Sequence, residues 1–230
     1  IGYYAFRGTR ITDITIPNSV TSIDYGAFIS TPVRSVTFGQ ASSLQFIGYQ
    51  AFYGCQSLTE FIMPNTVTDF GDSRGDCEVF QGCTSLTRIH FSEALTTIKD
   101  EVCYNCSSLS EIELPQNLKV IGNDAFSRCP ELRSIDLPAG LEEIGNYAFA
   151  TTGLDSLFLP VKLTKLGNHA FQYCSNLKYV ELPSYVEQYY STFYNCPSLQ
   201  TIVSRSATPP AVYSDPFSGN CPAKSTLTLK

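Results

Sequence analysis

The sequence predicts a solenoid in which each repeat forms one coil and gives one short strand to a parallel sheet along one side. Three observations carry this prediction. An Ala-Phe pair recurs as Ala5-Phe6, Ala27-Phe28, Ala51-Phe52, Ala125-Phe126, Ala148-Phe149 and Ala170-Phe171, with Phe80, Cys103, Phe193 and Phe217 at the matching place in the other copies. Successive members of this column lie 22, 24, 28, 23, 23, 23, 22, 22 and 24 residues apart. Such a period marks units that cannot bury their apolar sides alone and so stack on their neighbours. Three residues after the column stand Cys55, Cys83, Cys106, Cys129, Cys174 and Cys196, with Thr9, Thr31 and Thr152 in the same place. Finally, apolar and polar residues alternate just ahead of a recurring proline.

Each element follows from the residues of one copy. Ile112 and Leu114 alternate with Glu111 and Glu113, the period-two pattern of a strand with one buried face. Proline then closes the strand at Pro17, Pro64, Pro115, Pro138, Pro160 and Pro183; with no N–H and a fixed φ it suits the point where pairing stops. One strand per period, side by side, gives a single long parallel sheet. The return segment carries a second apolar pair, such as Leu118 and Ile121, and then the Ala-Phe. A small residue beside a large ring fits one turn of helix or 3₁₀-helix pressing the ring inward. Gly2, Gly48, Gly71, Gly122, Gly145 and Gly167 share a column with Asp24 and Lys99, so a left-handed backbone is allowed there but not compulsory.

With 43% hydrophobic and 16% charged residues the composition is that of an ordered chain. A formal net charge of −6, with no basic stripe or arginine cluster, argues against nucleic acid or an anionic membrane as partner. No apolar run reaches the length that crosses a bilayer. Nine cysteines would read as a disulfide framework in a small secreted domain. Six of them share a column with threonine, which identifies a small interior position, and free cysteine packs as a compact hydrophobe. Cys77 and Cys221 lie outside that column, and Cys103 replaces a phenylalanine; whether Cys77 or Cys221 forms a disulfide stays open.

Two stretches break the rhythm. Phe70 to Phe80, FGDSRGDCEVF, carries five extra residues, and insertions in a solenoid emerge as loops that often bind. About nine copies fill residues 1–203. Residues 204–230, with Pro209-Pro210 and a degenerate Phe217, form an atypical, truncated terminal copy. Ile1 stands at the place of Ile121 inside a repeat, and Lys230 follows a strand-like Leu227-Thr228-Leu229. The expectation is therefore a segment of a longer protein.

The motif I-G-x-x-A-F-x-x-C-x-x-L-x-x-I-x-L-P, spread over residues 1 to 217, resembles the leucine-rich repeat of the BspA-like type. That type is found chiefly in surface proteins of gut and oral anaerobic bacteria and in some parasitic protists. The segment from Ala207 through Leu229 is similar to the closing segment of bacterial members. The resemblance implies a leucine-rich repeat solenoid, a right-handed α/β-type superhelix with the parallel sheet on its concave face and short helical or 3₁₀ turns on the return side. It also implies export to the cell surface or the medium, and binding of host proteins or other cells. Cys103 in place of Phe, the insertion at residues 72–79 and the shortened return from Gln188 to Thr192 depart from the pattern.

Strand parity assigns the outward residues. One outward column runs Asp13, Ser35, Glu60, Arg88, Glu111, Ser134, Ser156, Tyr179, Thr201, and the other Thr15, Thr37, Ile62, His90, Glu113, Asp136, Phe158, Glu181, Val203. Ile62, Phe158, Tyr179 and Val203 are apolar or aromatic where solvent favours polar residues. They read either as binding contacts or as residues that simply suit strands. Candidate concave-face contacts are Ile62, Arg88, His90, Glu111, Glu113, Asp136, Phe158, Tyr179 and Glu181. In the insertion, Arg74, Gly75 and Asp76 spell the tripeptide that integrins recognise; the alternative is a solvated glycine turn.

No residues assemble into a catalytic or metal-binding set. Glu111, Glu113 and Asp136 form an acidic cluster, and paired carboxylates cleave glycosides, but an open sheet has no pocket to raise one pKa. The cluster therefore reads as a solvated patch. Cys103 and Cys106 spell C-x-x-C, which marks redox or zinc chemistry elsewhere, yet each is accounted for by its own column and no second pair completes a ligand set. His90 and His169 belong to different faces, so no triad forms, and no phosphate-cradling glycine loop is present. The function expected is a non-enzymatic, monomeric extracellular binding module for a protein or glycoprotein, without cofactor or metal; the alternative is a structural spacer with no ligand of its own.

Overall fold

The computed structural model describes residues 1–72, 75–185, 190–205 and 219–221, and the backbone of 227–229. Sixteen strands are present among the described residues, all paired in parallel. One set lies ahead of the proline positions: β1 (Asp13–Ile16), β3 (Ser35–Phe38), β5 (Glu60–Ile62), β7 (Arg88–His90), β9 (Glu111–Glu113), β12 (Ser156–Phe158), β14 (Tyr179–Leu182), β15 (Thr201–Ser204) and β16 (Leu227–Leu229). A second set comes from the Leu-x-x-Ile segments: β2 (Ser22–Ile23), β4 (Phe46–Gly48), β6 (Asp69–Gly71), β8 (Thr97–Ile98), β10 (Val120–Ile121), β11 (Glu143–Ile144) and β13 (Lys165–Leu166). The coils thus pair along two sides, the second set forming two ladders, β2-β4-β6 and β8-β10-β11-β13, where the sequence reading expected one side only.

The single sheet expected on the first side is instead three ladders: β1-β3, β5-β7-β9 and β12-β14-β15-β16. Ser134 to Leu137, the segment between β9 and β12, joins no ladder. The ladder also stops between β3 and β5. Gly39 stands where Pro17 closed the preceding copy, and the turn that follows makes this return two residues longer, 24 against 22 from one Phe to the next.

The helical turns expected on the return side are hydrogen-bonded turns; no helix occurs among the described residues. Their sharpness comes from left-handed residues two before and two after the Phe column, including Tyr147 (φ 54) and Thr151 (φ 59) around Phe149. The glycine column is left-handed only at Gly71 (φ 83). It is small for another reason: a Cβ on Gly167 would lie 2.3 Å from the carbonyl carbon of Gly145, and one on Gly122 would lie 2.7 Å from the amide of Asp100. At Gly122, Gly145 and Gly167 the coils approach too closely for a side chain. Lys99 fits the column beside the insertion, where its ammonium donates to the Asp72 carbonyl at 3.1 Å and pairs with Asp69 at 2.8 Å.

Inside, the Phe rings stack at 4.9 Å for Phe6–Phe28, 5.0 Å for Phe28–Phe52 and 5.4 Å for Phe149–Phe171, and from Phe28 to Phe193 they are fully buried. The stack breaks at Cys103, and Phe91, entering from the strand layer, meets the Phe126 ring edge-on at 6.2 Å. No cysteine is joined in a disulfide, and all nine are buried. The column shared with threonine has a hydrogen-bonding reason. Cys55, Cys106 and Cys196 donate to the carbonyls of Phe28, Phe80 and Phe171 in the coil before, at 3.0, 3.0 and 3.2 Å. Thr31 and Thr152 donate to Phe28 and Phe149 carbonyls at 2.9 and 2.8 Å. The Phe28 and Phe80 carbonyls already accept the N–H of Thr31 and Cys83 at 3.1 Å, so the side chain must be small and its own donor must find such a carbonyl, because a buried hydroxyl without a partner is costly. A second ladder runs through Asp100, Asn123 and Asn146, whose side-chain oxygens accept the backbone N–H of Asn123, Asn146 and Asn168, each at 2.8 Å.

Candidate functional site

The strand face carries the sequence-predicted residues in three groups. On β5, β7 and β9 the register sets Arg88 beside Glu60 on one strand and Glu111 on the other. Its guanidinium reaches Glu60 at 3.3 Å and Glu111 at 3.4 Å, and pairs with Glu113 diagonally. His90 lies opposite Glu113 in the ladder and hydrogen-bonds it. Arg88, and secondarily His90, hold the Glu113 carboxyl below the usual carboxylate range, while Glu113 and then Glu111 push Arg88 up. The expected acidic patch of Glu111, Glu113 and Asp136 is therefore an arginine-centred ion cluster. Asp136 stands apart on the unpaired segment, exposed to solvent.

The second group is aromatic. Phe158 is 59% exposed, and its ring sits 5.5 Å from that of Tyr179 at a tilt of 40°. Beside them Glu181 pairs with Arg205 at 2.7 Å. Val203, expected to face outward, is buried at 4% exposure; it is paired with Thr228 of β16 on one side and Glu181 on the other.

The third group surrounds Ile62, which is 51% exposed. Where β3 and β5 fail to pair, a groove of about 620 Å³ opens, lined by Arg34, Val36, Phe38 and Gln40 on one side and Glu60, Ile62, Pro64 and Asn65 on the other. Of these the sequence reading named only Ile62 as a contact. Two signals could have found the rest: the longer Phe28-to-Phe52 interval, and Gly39 at a proline position.

In the insertion, Arg74 lies outside the described residues. Gly75 is left-handed (φ 101). The Asp72 N–H donates to the Asp76 carbonyl at 2.8 Å and the Asp76 N–H to the Asp72 carboxylate at 3.1 Å, and Asp76 also bridges in parallel to Asp100. Cys77 is fully buried, and burial pushes its thiol far up. Cys103 and Cys106 are buried too, with burial raising both thiols. Among the described residues no group of three or more His, Cys, Asp or Glu side chains could hold a metal ion, and no helix is long and apolar enough to cross a membrane.

Stacked parallel coils, an inward ring column and an outward strand face define a leucine-rich repeat protein. The BspA type leucine rich repeat region matches residues 1–129 and 96–221, in 6 copies, and the chain belongs to that family. It is similar to a leucine-rich repeat protein from Bacteroides ovatus, with 27% identity and a TM-score of 0.70, over 100% of this chain and 64% of that one, so it spans less than two thirds of that protein. It shares its fold with the pneumococcal vaccine antigen PcpA (20% identity, TM-score 0.59, 99% of this chain and 70% of that one). The same holds for a leucine rich cell surface protein from Faecalibacterium prausnitzii (22% identity, TM-score 0.52, 99% and 81%). No curated protein matches the chain.

Proposed function

We propose that this chain is a non-enzymatic binding module of a bacterial surface or secreted protein. It engages a protein or glycoprotein through a strand face curved as the concave side of a right-handed solenoid. The observation that carries this reading is the break between β3 and β5, where the strand face opens into a groove with an apolar floor and polar rim, the usual make-up of a recognition site. The exposed Phe158–Tyr179 pair supplies a second contact of the kind enriched at interfaces. Family membership and the surface proteins that share the fold support the location.

The test is binding of the repeat region to immobilised matrix proteins and mucins, with Ile62→Ser, Phe158→Ser and Tyr179→Ser made singly and together. A capture that falls at least about tenfold in the triple variant is expected. Capture indifferent to all three changes refutes this face as the site, and absence of any capture favours the structural spacer.

A further inference from the structure

Resting on the reading of the strand face as the binding surface, we infer that the exposed Phe158 ring and the Asp136 carboxylate beside it form a seat for an arginine side chain of a protein partner. Register, the lengths of the two side chains and the charge around them point to this occupant.

Register sets the pair side by side. The Arg133 carbonyl accepts the Asp155 N–H at 3.0 Å, as the Asp155 carbonyl accepts the Lys178 N–H at 2.9 Å one coil further on. Phe158 lies opposite Glu181 in that further coil, so the same register carries Asp136 to the place opposite Phe158. Although Ser134 to Leu137 joins no ladder, exposure alternates along it: Ser134 and Asp136 are exposed, while Ile135 and Leu137 pack against the core. Tyr179 therefore flanks the Phe158 ring on one side, with 5.5 Å between centroids, and the Asp136 coil flanks it on the other.

The lengths of the two side chains make the seat. Adjacent parallel coils lie about 4.8 Å apart. An aspartate ends nearer its backbone than a phenylalanine ring does, so a cation resting on the Asp136 carboxylate stands level with the ring, about one strand spacing from it. That is within the roughly 6 Å over which a ring attracts a cation. A guanidinium suits both neighbours, being planar for the ring and forked for the carboxylate.

Charge selects the cation. Asp136 forms no ion pair among the described residues. On the far side of Phe158, Glu181 already holds Arg205 at 2.7 Å. In the coils before Asp136, the carboxylates of Glu60, Glu111 and Glu113 share Arg88, with His90 against Glu113. With Asp136 added, four carboxylates face one arginine and one histidine. The surplus is negative, and a partner of complementary charge is basic.

Nuclear magnetic resonance titration of the whole repeat region at low ionic strength tests this with acetyl-Gly-Arg-Gly-amide. Two control peptides carry lysine or glutamine in place of the arginine. The expected result is a shift of the Asp136, Phe158 and Tyr179 amides with half-saturation near about 10 mM. Affinity should fall about twofold to threefold for the lysine peptide and at least about fivefold for the glutamine peptide. Asp136→Asn and Phe158→Leu, both at exposed positions, should each weaken binding of the arginine peptide about threefold. Equal binding of the lysine or the glutamine peptide, unchanged affinity in either variant, or no shift of these amides at about 50 mM would each overturn the assignment. Such a failure leaves the matrix-protein capture and its dependence on Ile62, Phe158 and Tyr179 untouched, whereas capture indifferent to those three changes fails the face itself.

Discussion

Cys103 sits in a column otherwise filled by phenylalanine, and Phe91 sits in a layer that, apart from Phe38, is filled by smaller apolar residues such as Leu114, Leu159 and Leu182. Both are fully buried, so the two departures compensate if Phe91 occupies the space that Cys103 leaves beside Phe126. A double-mutant cycle measures this. Cys103→Phe alone forces a ring into a packed interior and costs about 1–3 kcal/mol. Phe91→Leu alone leaves a cavity beside the Phe126 ring and costs about 1–2 kcal/mol. Together they restore the repeat's usual residues at near-constant volume, and such exchanges cost under about 1.5 kcal/mol. The double variant should therefore be about 1–3 kcal/mol more stable than the sum of the singles. Urea unfolding followed by circular dichroism, with the slope checked for constancy, reads the three differences. Additivity within about 0.5 kcal/mol would refute the compensation.

Gly167→Ala should destabilise by about 2 kcal/mol or more, because its Cβ would meet the Gly145 carbonyl carbon at 2.3 Å, whereas Gly2→Ala, with nothing within 4 Å, should change the melting point little; equal effects would contradict the close-approach account. Thr151→Asn should raise stability by about 0.5–1 kcal/mol, since a β-branched residue is held at φ 59 where Asn105 and Asn195 stand in other coils; a loss in thermal unfolding would count against it. Burial pushes the Cys55 and Cys174 thiols from 9.0 up to about 11. The unfolded chain releases those protons first, so stability is held below pH 9.0 and falls as pH rises through about 11; urea midpoints that rise over that interval would be the contrary result. Native protein treated with iodoacetamide at neutral pH should keep all nine thiols unmodified, as intact mass would show.

The inward columns were legible in the sequence because burial repeats once per coil, so many copies vote on each position: Phe28, Phe52, Phe126, Phe149 and Phe171 all point inward. The second set of strands was not, since Ser22–Ile23 or Lys165–Leu166 is too short to show alternation and pairs only because a neighbouring coil presents the same two positions, Phe46–Ile47 or Glu143–Ile144. Left-handed turns were misplaced for a related reason. The residues that adopt them include Tyr147, His169 and Tyr173, which carry no turn signature, while the conspicuous glycines serve close packing. At the strand face, parity located Ile62 and Phe158 correctly in solvent. It could not show that Arg88 would bridge the carboxylates of both neighbouring strands, because that depends on register across coils, nor that Val203 would be covered.

The groove and the binding reading both depend on β3 and β5 parting, and residue-resolved amide hydrogen exchange tests this most directly. An open groove predicts fast exchange at Val36, Phe38 and Ile62 beside slow exchange at Met63 and Phe91, whose N–H groups are bonded to the carbonyls of His90 at 2.9 Å and Glu113 at 3.1 Å. Protection of Val36, Phe38 and Ile62 equal to that of Met63 would mean a continuous sheet and no groove.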